Sequence, residues 1–380
     1  MDFNLNEEQE ALQEMARDFL HERWPTDLTR EALDKKLVVI PDEVWDEIIE
    51  MGWLGVSAPE EAGGIGGDVM TAAVLAQEAG RAVLPGPFQS SLVAAIAIEC
   101  SGDKELCEKL LPELIEGKTR ATVAVEEPGG FYGPDAVRTE AVAGGDGWQL
   151  SGTKILVPDA AQAMILLVAA QAPDGLGLVR VPADAEGVTI NRMNRMDAQS
   201  CAEVIFENAK VEGDALLGGA DRGEAALREA YEIWTVLMAA DLLGSAEASL
   251  ELTRQYSIER VQFGKPIGSF QAVSHRLANE LVNVEIGRSL LYGACLALDE
   301  KRDNAVALVS AAKAWLSDTA VSAAESALQI HGGVGFTWEY DVHLHMRRAR
   351  CNAAMLGDAD FHRDRVAVYM DEAWVPPVKV

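Results

Sequence analysis

The residues best suited to bind a ligand lie between positions 254 and 273, where one helical pattern ends and another begins. Gly264 and Pro266 interrupt the first pattern, and Ser269 opens the second. The break is preceded by a fork-shaped cation, an amide and an aromatic ring: Arg260, Gln262 and Phe263. A helix–turn–helix corner with free backbone donors and a guanidinium suits a phosphate or pyrophosphate. The alternative interpretation is an ordinary helical hairpin with an arginine on its surface.

The overall charge restricts the kinds of ligand that this corner could serve. The 380-residue chain has a formal net charge of −29, which argues against nucleic acid and against anionic membrane surfaces. A polyanionic cofactor is still allowed if a local basic cluster meets it. Two such clusters stand out in the sequence: Arg254, Arg260 and Lys265, and then Arg347, Arg348 and Arg350.

Cysteine usage and apolar runs predict the compartment. The five cysteines have no metal or redox spacing, so we expect a reducing cytosol and no metal site. The N-terminus is acidic and lacks the apolar segment of a signal peptide. The longest apolar runs, at 163–170 and 236–240, are far shorter than the roughly 20 residues that span a bilayer. These features predict a cytoplasmic protein without a membrane segment.

Three regions of different character must position the corner. Residues 1–117 show helical periodicity, whereas 118–215 contain seven short segments, mostly rich in β-branched residues, as in a small β-sandwich or barrel. Residues 222–372 contain one proline, Pro266, which indicates long helices forming a four-helix bundle. The four predicted helices span 224–258, 270–298, 305–331 and 342–370. The predicted fold class is therefore α+β, with a helical domain, a central β domain and a C-terminal helical bundle.

Four stretches, taken in chain order, resemble motifs of the acyl-CoA dehydrogenase flavoprotein family. They are Gly-Trp-Leu-Gly-Val-Ser-Ala-Pro-Glu-Glu-Ala-Gly-Gly at 52–64, Ser-Gly-Thr-Lys-Ile at 151–155, Arg-Val-Gln-Phe-Gly-Lys-Pro-Ile at 260–267 with Phe270 and Gln271, and Gln-Ile-His-Gly-Gly-Val-Gly-Phe-Thr-Trp-Glu-Tyr at 329–340. The resemblance covers nearly the whole chain. It implies the same three-part fold, usually packed as a dimer of dimers, and a role in lipid or steroid β-oxidation.

The resemblance also implies a cofactor and a division of labour between subunits. In the family, FAD lies across a subunit interface, where one chain holds the flavin ring and its neighbour holds the pyrophosphate and adenosine. The neighbour's residues would be Arg260 and Gln262 on pyrophosphate oxygens, Phe263 beside them, Gln271 on the ADP portion, and Gln329, Gly332 and Gly333 at the closely approached backbone. Taken alone, the two glycines could instead be a helix C-cap.

The chemistry implied by the resemblance needs a glutamate that this chain lacks. That residue takes the α-proton of an acyl-CoA thioester, while the flavin takes the β-hydride and passes electrons to electron-transfer flavoprotein or a similar acceptor. Its two family positions hold Leu356 and Trp234 here, and neither side chain can accept a proton. The family's Thr-Glu-Pro-Gly-x-Gly-Ser-Asp loop is altered to Glu-Glu-Pro-Gly-Gly-Phe-Tyr-Gly-Pro-Asp at 126–135, and its flavin-facing Thr-Asn pair is replaced by Pro158 and Asp159. Asp358, two residues beyond one position, is a candidate substitute.

We therefore interpret the chain as the subunit without a catalytic glutamate in a heteromeric enzyme. It resembles the α2β2 acyl-CoA dehydrogenases that act on steroid side-chain thioesters, and it would complete the FAD site of a paralogous catalytic partner. One alternative is a self-sufficient homo-oligomer with Asp358 as base. Others are a flavin-dependent oxidase or monooxygenase of the same fold, and a non-catalytic scaffold or regulatory subunit that binds acyl-CoA.

Overall fold

The computed structural model describes residues 4–35, 40–144, 147–173, 175–213 and 215–373. The predicted order of a helical domain, a β domain and a second helical domain is confirmed. The described part of the N-terminal domain contains six α-helices: α1 (Glu7–Arg23), α2 (Thr26–Lys35), α3 (Asp42–Glu50), α4 (Val69–Arg81), α5 (Phe88–Ser101) and α6 (Lys104–Ile115). Several of these helices begin at a residue whose side chain caps the first turn. Asn6 accepts from the Gln9 amide at 2.8 Å, and Asp68 caps α4.

In the central domain, the residues that the structure describes form one hydrogen-bonded sheet of seven strands. They are β1 (Ala121–Ala124), β2 (Glu140–Gly144), β3 (Gly147–Pro158), β4 (Ile165–Ala172), β5 (Gly175–Pro182), β6 (Val188–Met193) and β7 (Cys201–Glu212). Their order is β1-β4-β2-β3-β7-β6, with β5 on the other side of β4. Strand β3 has two register shifts against β7, and the second, between Lys154 and Val157, lies close to Pro158, where the strand ends beside the helical domains. Such bulges bend a strand and redirect its side chains.

The C-terminal domain is built around one long helix. Its elements are α7 (Gly219–Glu259), β8 (Val261–Gln262), β9 (Lys265–Pro266), α8 (Gln271–Asp299), α9 (Ala305–His331), α10 (Val342–Ala354) and α11 (Ala359–Ala373). The sequence pattern over 342–370 predicts one helix, but the structure divides it between α10 and α11. The break occurs because Leu356 and Gly357 adopt positive φ angles of 57° and 101°, which a helix cannot accommodate.

Close helix contacts bring the domains together around α7. A Cβ on Gly244 of α7 would lie 1.8 Å from the Gln77 carbonyl oxygen, and one on Gly80 of α4 would lie 2.1 Å from that of Asp241. The backbones of α4 and α7 can therefore touch only because both positions are glycine. Residues 222–259 and α8 are long and apolar enough to cross a membrane, but the first is 94% buried over its most apolar window. It is the core helix of the bundle, and α8 packs against it and α9.

Candidate functional site

The corner predicted to bind phosphate is an exposed two-stranded hairpin. Strands β8 and β9 pair through a turn in which Phe263 and Gly264 have φ angles of 53° and 80°. The Phe263 side chain is 94% exposed, and Arg260 forms no ion pair with any residue that the structure describes. Gln262 is also exposed, with its amide donating to the Val261 carbonyl at 2.8 Å. An apolar ring and an unpaired guanidinium held out on a rigid turn are suited to contact a second molecule.

The glycine-rich stretch lies at the same end of the bundle as the hairpin. Tyr256, near the end of α7, stacks on His331 at the end of α9 with ring centroids 4.2 Å apart. Gly332 follows with a φ of 62° and closes α9, so the C-cap geometry is present. A Cβ on Gly332 or Gly333 would meet nothing within 4 Å, which leaves their outer face open. Gln329 is exposed beside this turn, and Gln271 is exposed at the start of α8.

Both positions expected for a catalytic glutamate are buried and apolar. Leu356 is fully buried and Trp234 is 4% exposed. The carbonyl oxygen of Leu356 accepts hydrogen bonds from the Tyr231 hydroxyl at 3.1 Å and from Nε2 of buried His362 at 3.0 Å. Burial lowers the pKa of His362 to about 3, so the ring is neutral. Buried Lys313 donates to the next carbonyl, that of Gly357, at 3.0 Å. Three donors thus hold the 355–358 loop in place.

A cleft of about 550 Å³ opens next to this loop. Its walls come from the β1–β2 connection, the first half of α7, the α8–α9 junction and α11, and include Tyr132, Arg228, Tyr231, Glu232, Phe361 and Arg365. Asp358 is exposed, and its Oδ1 accepts from the Phe361 amide at 2.9 Å as the N-cap of α11. The pKa of Tyr132 is raised mainly by burial and, to a smaller extent, by the negative charge of Asp358. The Asp358 carboxylate therefore lies near Tyr132 and the cleft. The structure does not bring Asp358 into the position of Leu356.

Two other carboxylates lie where sequence reasoning did not expect them. Glu232 precedes Trp234 by two residues, about 200° around a helix, so the sequence predicts that it points away from the site. Its side chain is instead buried in the cleft wall and paired with Arg365. For Glu247, about 20 Å further along the helix, the sequence predicts a surface or capping contact, but the residue is 7% exposed. It is held there because α4 crosses α7. Its partners are Gln77 at 3.0 Å, Arg81, and Arg288 at 2.7 Å.

Glu126 is a site residue that the sequence analysis missed as a candidate. It is 7% exposed, and its Oε1 lies 3.1 Å from the Tyr231 hydroxyl and 3.4 Å from the Gly133 amide. Burial raises the pKa of Glu126 to about 7. The carboxyl group is therefore one hydrogen bond away from the Tyr231 oxygen that contacts Leu356. Its position at the start of the altered 126–135 loop was the only signal in the sequence.

The compartment beside Pro158 and Asp159 is nearly filled by the protein's own side chains. Its cavity is about 20 Å³ and is lined by residues that include Trp234, Met238 and Met355. The Asp159 carboxylate accepts from the Ser90 hydroxyl at 2.7 Å, while its Oδ1 has no partner among the described residues. Burial raises the pKa of Asp159 to about 6. Small-molecule pockets measure roughly 300 Å³ or more, so a flavin ring does not fit this compartment.

The architecture and the site together define a class of three-domain proteins with a site suited to a phosphate-containing ligand. A helical domain, a β sheet and a long-helix bundle enclose a cleft and carry an exposed, phosphate-suited hairpin. Three family models match: the N-terminal domain of acyl-CoA dehydrogenases over residues 6–118, the middle domain over 122–209 and the C-terminal domain over 221–370. The chain belongs to the acyl-CoA dehydrogenase family.

Individual relatives agree with this assignment. The chain is 31% identical over 337 residues to the mitochondrial long-chain specific acyl-CoA dehydrogenase of Mus musculus, covering 86% of this chain and 78% of the relative. A solved variant of the steroid acyl-CoA dehydrogenase Tcur3481–Tcur3483 matches with a TM-score of 0.87 and 34% identity, covering 97% and 98% of the two chains. The ChsE4–ChsE5 complex of Mycobacterium tuberculosis matches with a TM-score of 0.89 and 28% identity, covering 99% and 100%.

The family assignment makes the protein an oxidoreductase acting on CH–CH groups, in a family of flavoproteins. The described residues fit FAD unequally. The hairpin and the glycine turn leave donors and backbone open, whereas the Pro158–Asp159 compartment is closed. Within the described ranges, no group of three or more His, Cys, Asp or Glu side chains could hold a metal ion.

Proposed function

We propose that this chain serves an FAD-dependent α,β-dehydrogenation of an acyl-CoA thioester as the subunit that completes the FAD site of a catalytic partner. It would contribute the pyrophosphate and adenosine half-site through Arg260, Gln262, Phe263, Gln271, Gln329, Gly332 and Gly333. When bound, FAD supplies the hydride acceptor. The partner would supply the ring pocket and the glutamate, and the thioester would occupy the partner's cleft.

The observation that carries this proposal is the contrast between the two halves of the expected cofactor site. The Phe263 ring is 94% exposed, although transferring such a ring from water into an apolar contact is favourable by roughly 1.5–3 kcal/mol. In the opposite half, Asp159 is buried without room for a ring. A chain that functioned alone would need both halves open.

The chain's own residues also explain why its cleft would not support the reaction. The α-proton needs an acceptor at the position of Leu356 or Trp234. The Leu356 side chain is a hydrocarbon and the Trp234 indole only donates, so neither can accept a proton. The Leu356 carbonyl is engaged by Tyr231 and His362, which keeps the loop in one conformation. The chain would thus act by binding and orienting the cofactor's phosphates, not by moving the proton.

Relatives that are paired complexes support a hetero-oligomer. The solved ChsE4–ChsE5 and Tcur3481–Tcur3483 proteins are each named for two different chains, and both match this chain along nearly its full length. By analogy, the partner would be a paralogous chain with a glutamate at either position. Steroid-like or other bulky acyl groups are the substrates that this analogy suggests, with electron-transfer flavoprotein or a similar acceptor receiving the electrons.

The test is flavin occupancy of the chain alone and with its partner. We expect the purified chain to lack visible flavin absorbance, and the co-purified complex to contain one FAD for each pair of chains. In the complex, Arg260→Ala should weaken FAD binding by about tenfold to a hundredfold, because a charge-assisted hydrogen bond is worth about 1.5–3 kcal/mol. Arg363→Ala, an exposed arginine paired with Asp318 and Asp360, is the matched control. Full flavin occupancy and turnover by the isolated chain would refute the proposal.

A second candidate function is a self-sufficient homo-oligomer that uses Asp358 as its base. The observation in its favour is the location of Asp358 near Tyr132 in the cleft wall. Under that alternative, Asp358→Asn should abolish turnover by the isolated chain. If no flavin is found in any complex, the third alternative applies, namely a scaffold or regulatory subunit that binds acyl-CoA.

A further inference from the structure

A second cavity, of about 340 Å³, lies where the three domains meet. We call it the arginine cavity. Its walls come from α2, the β6–β7 connection and the segment from Trp338 to Arg347, and its defining side chains are Arg192, Arg195, Arg347, Met193, Met196 and Trp338. It shares no lining residue with the cleft beside the 355–358 loop, it shares Gln199 with the closed compartment beside Asp159, and none of the residues assigned to the FAD half-site lines it. The proposed function therefore makes no use of it.

The cavity is positively charged in a strongly negative protein. Arg195 is neutralised by Asp197, with nitrogen–oxygen distances of 2.9 and 2.7 Å. Among the residues that the structure describes, neither Arg192 nor Arg347 forms an ion pair, and no Asp or Glu lines the cavity. Two uncompensated guanidinium charges remain. They match the charge of about −1.5 to −2 that a phosphomonoester carries near neutral pH.

Arg347 belongs to a basic cluster that the sequence analysis singled out, and the structure separates its three members. Arg348 is 1% exposed and donates to Asp241 at 3.1 Å, while Arg350 pairs with Glu325 at the surface. Only Arg347 faces the arginine cavity, where its Nη1 donates to the Met196 carbonyl at 3.2 Å. That bond uses one of five donors, so the rest of the fork is available to phosphate oxygens.

The remaining wall suits a flat ring. Met193 and Met196 are 38% and 45% exposed, and thioether side chains adapt to planar apolar surfaces. Trp338 is fixed by stacking on His343, with centroids 5.0 Å apart, and the Arg347 guanidinium lies 5.8 Å from the Trp338 ring centroid. A rigid indole next to a guanidinium with unused donors can hold a ring and its phosphate together.

The cavity is also held in shape without a ligand. Arg195 donates to Asn352 of α10 at 2.9 Å as well as to Asp197, which ties the β6–β7 connection to the C-terminal bundle. Positions fixed in this way lose little entropy when a ligand binds.

We propose that the arginine cavity binds a phosphomonoester carried on a flat ring, of the size of a single nucleotide. The phosphate contacts Arg192 and Arg347, and the ring lies against Trp338 and the two methionines. The ligand has two chemical sources, a free nucleotide or the 3′-phosphoadenosine end of coenzyme A. Because the site touches all three domains, its occupancy stabilises their arrangement.

The test is calorimetric titration of the full chain with AMP, with adenosine as the phosphate-free comparison. We expect AMP to bind at sub-millimolar concentration and adenosine to bind at least about tenfold more weakly. Arg192→Gln and Arg347→Gln should each weaken AMP binding by about tenfold, and the double variant by about a hundredfold. Arg363→Gln makes the same charge change on α11, away from the cavity, and should leave binding unchanged.

Three further measurements check the folding of the variants and identify the source of the ligand. Thermal unfolding checks that the variants are folded. If the double variant is unfolded, Arg347→Lys is used in its place, and the phosphorus NMR line width of AMP is the readout. We expect wild-type protein to broaden the AMP signal, and Arg347→Lys to broaden it to a smaller extent. Coenzyme A that displaces AMP, while dephospho-coenzyme A does not, identifies the coenzyme as the source. If neither coenzyme A nor dephospho-coenzyme A displaces AMP, the ligand is a free nucleotide.

The proposal is overturned if AMP gives no binding at millimolar concentration, if adenosine binds as well as AMP, or if the double variant retains wild-type affinity. Flavin content of the co-purified complex should be the same for wild type and the double variant. The failure of this proposal is thus distinguishable from failure of the proposed FAD role, which is read from Arg260.

Discussion

Replacing Glu126 with glutamine should make the protein more stable at alkaline pH, because it removes a carboxyl group that burial holds in its neutral form. The Tyr231 hydroxyl has one hydrogen but lies 3.1 Å from two acceptors, Glu126 Oε1 and the Leu356 carbonyl. A protonated Glu126 donates to the Tyr231 oxygen and frees the phenol to donate to Leu356. An ionised Glu126 can only accept, so the Tyr231 hydroxyl donates to the carboxylate and no longer to the Leu356 carbonyl.

The magnitude follows from the shift in pKa. The folded pKa of Glu126 is about 7, against an ordinary value of 4.5. A raised folded pKa gives stability that is complete below the unfolded value and is lost as pH rises through the folded one. Between about pH 5 and about pH 8, proton linkage makes this loss about 2.5 kcal/mol. Glu126→Gln keeps the size of the side chain and its ability to hydrogen-bond with Tyr231 but cannot ionise.

The assay is urea unfolding of wild type and variant across this pH range, together with the infrared carboxylic-acid band that the variant lacks. The difference in unfolding free energy should grow with pH by about 2.5 kcal/mol, and the band should titrate near pH 7. Glu127→Gln is the control at the adjacent residue. Burial opposes ionisation there, but the ion pair with Lys154, at 2.7 Å, outweighs it and lowers the pKa of Glu127. That control should destabilise the protein at neutral pH, and progressively less as pH falls. A Glu126 band that titrates near its ordinary 4.5 would refute the reasoning.

Three further outcomes follow from the same geometry. Leu356→Glu restores a proton acceptor but should leave the isolated chain without acyl-CoA-dependent dye reduction, because the cavity beside Asp159 is about 20 Å³; measurable turnover would contradict the closure. Asp358→Asn should leave turnover of the co-purified complex unchanged, and loss of activity there would favour Asp358 as a base. Burial lowers the pKa of Lys313 to about 7, so its contribution to stability is present above its ordinary 10.5 and is lost as pH falls through 7. Lys313→Met should abolish that pH dependence in urea unfolding, and an unchanged dependence would show that Lys313 is not its source.

Much of the fold was predictable because periodicity and prolines report on it directly. The predicted helix at 305–331 has the same bounds in the structure, and α7 extends only a few residues beyond the predicted pattern. The break at 355–358 was not predictable from periodicity, since apolar spacing continues across it. It depends on positive φ angles at Leu356 and Gly357, which buried donors from Tyr231, His362 and Lys313 hold in place.

The sequence by itself determined which chemical groups the chain has. It indicated a corner between two helices with Arg260 and Phe263, a glycine-rich stretch, and no glutamate at either expected position, because these are matters of residue type and short spacing. Only the tertiary structure decided where the buried charges lie. Glu126 and Glu232 lie in or beside the cleft, and Asp159 lies in the closed compartment at the end of β3, because helices and strands distant in the chain close over them. The cost of burying a charge depends on partners that sequence distance does not reveal.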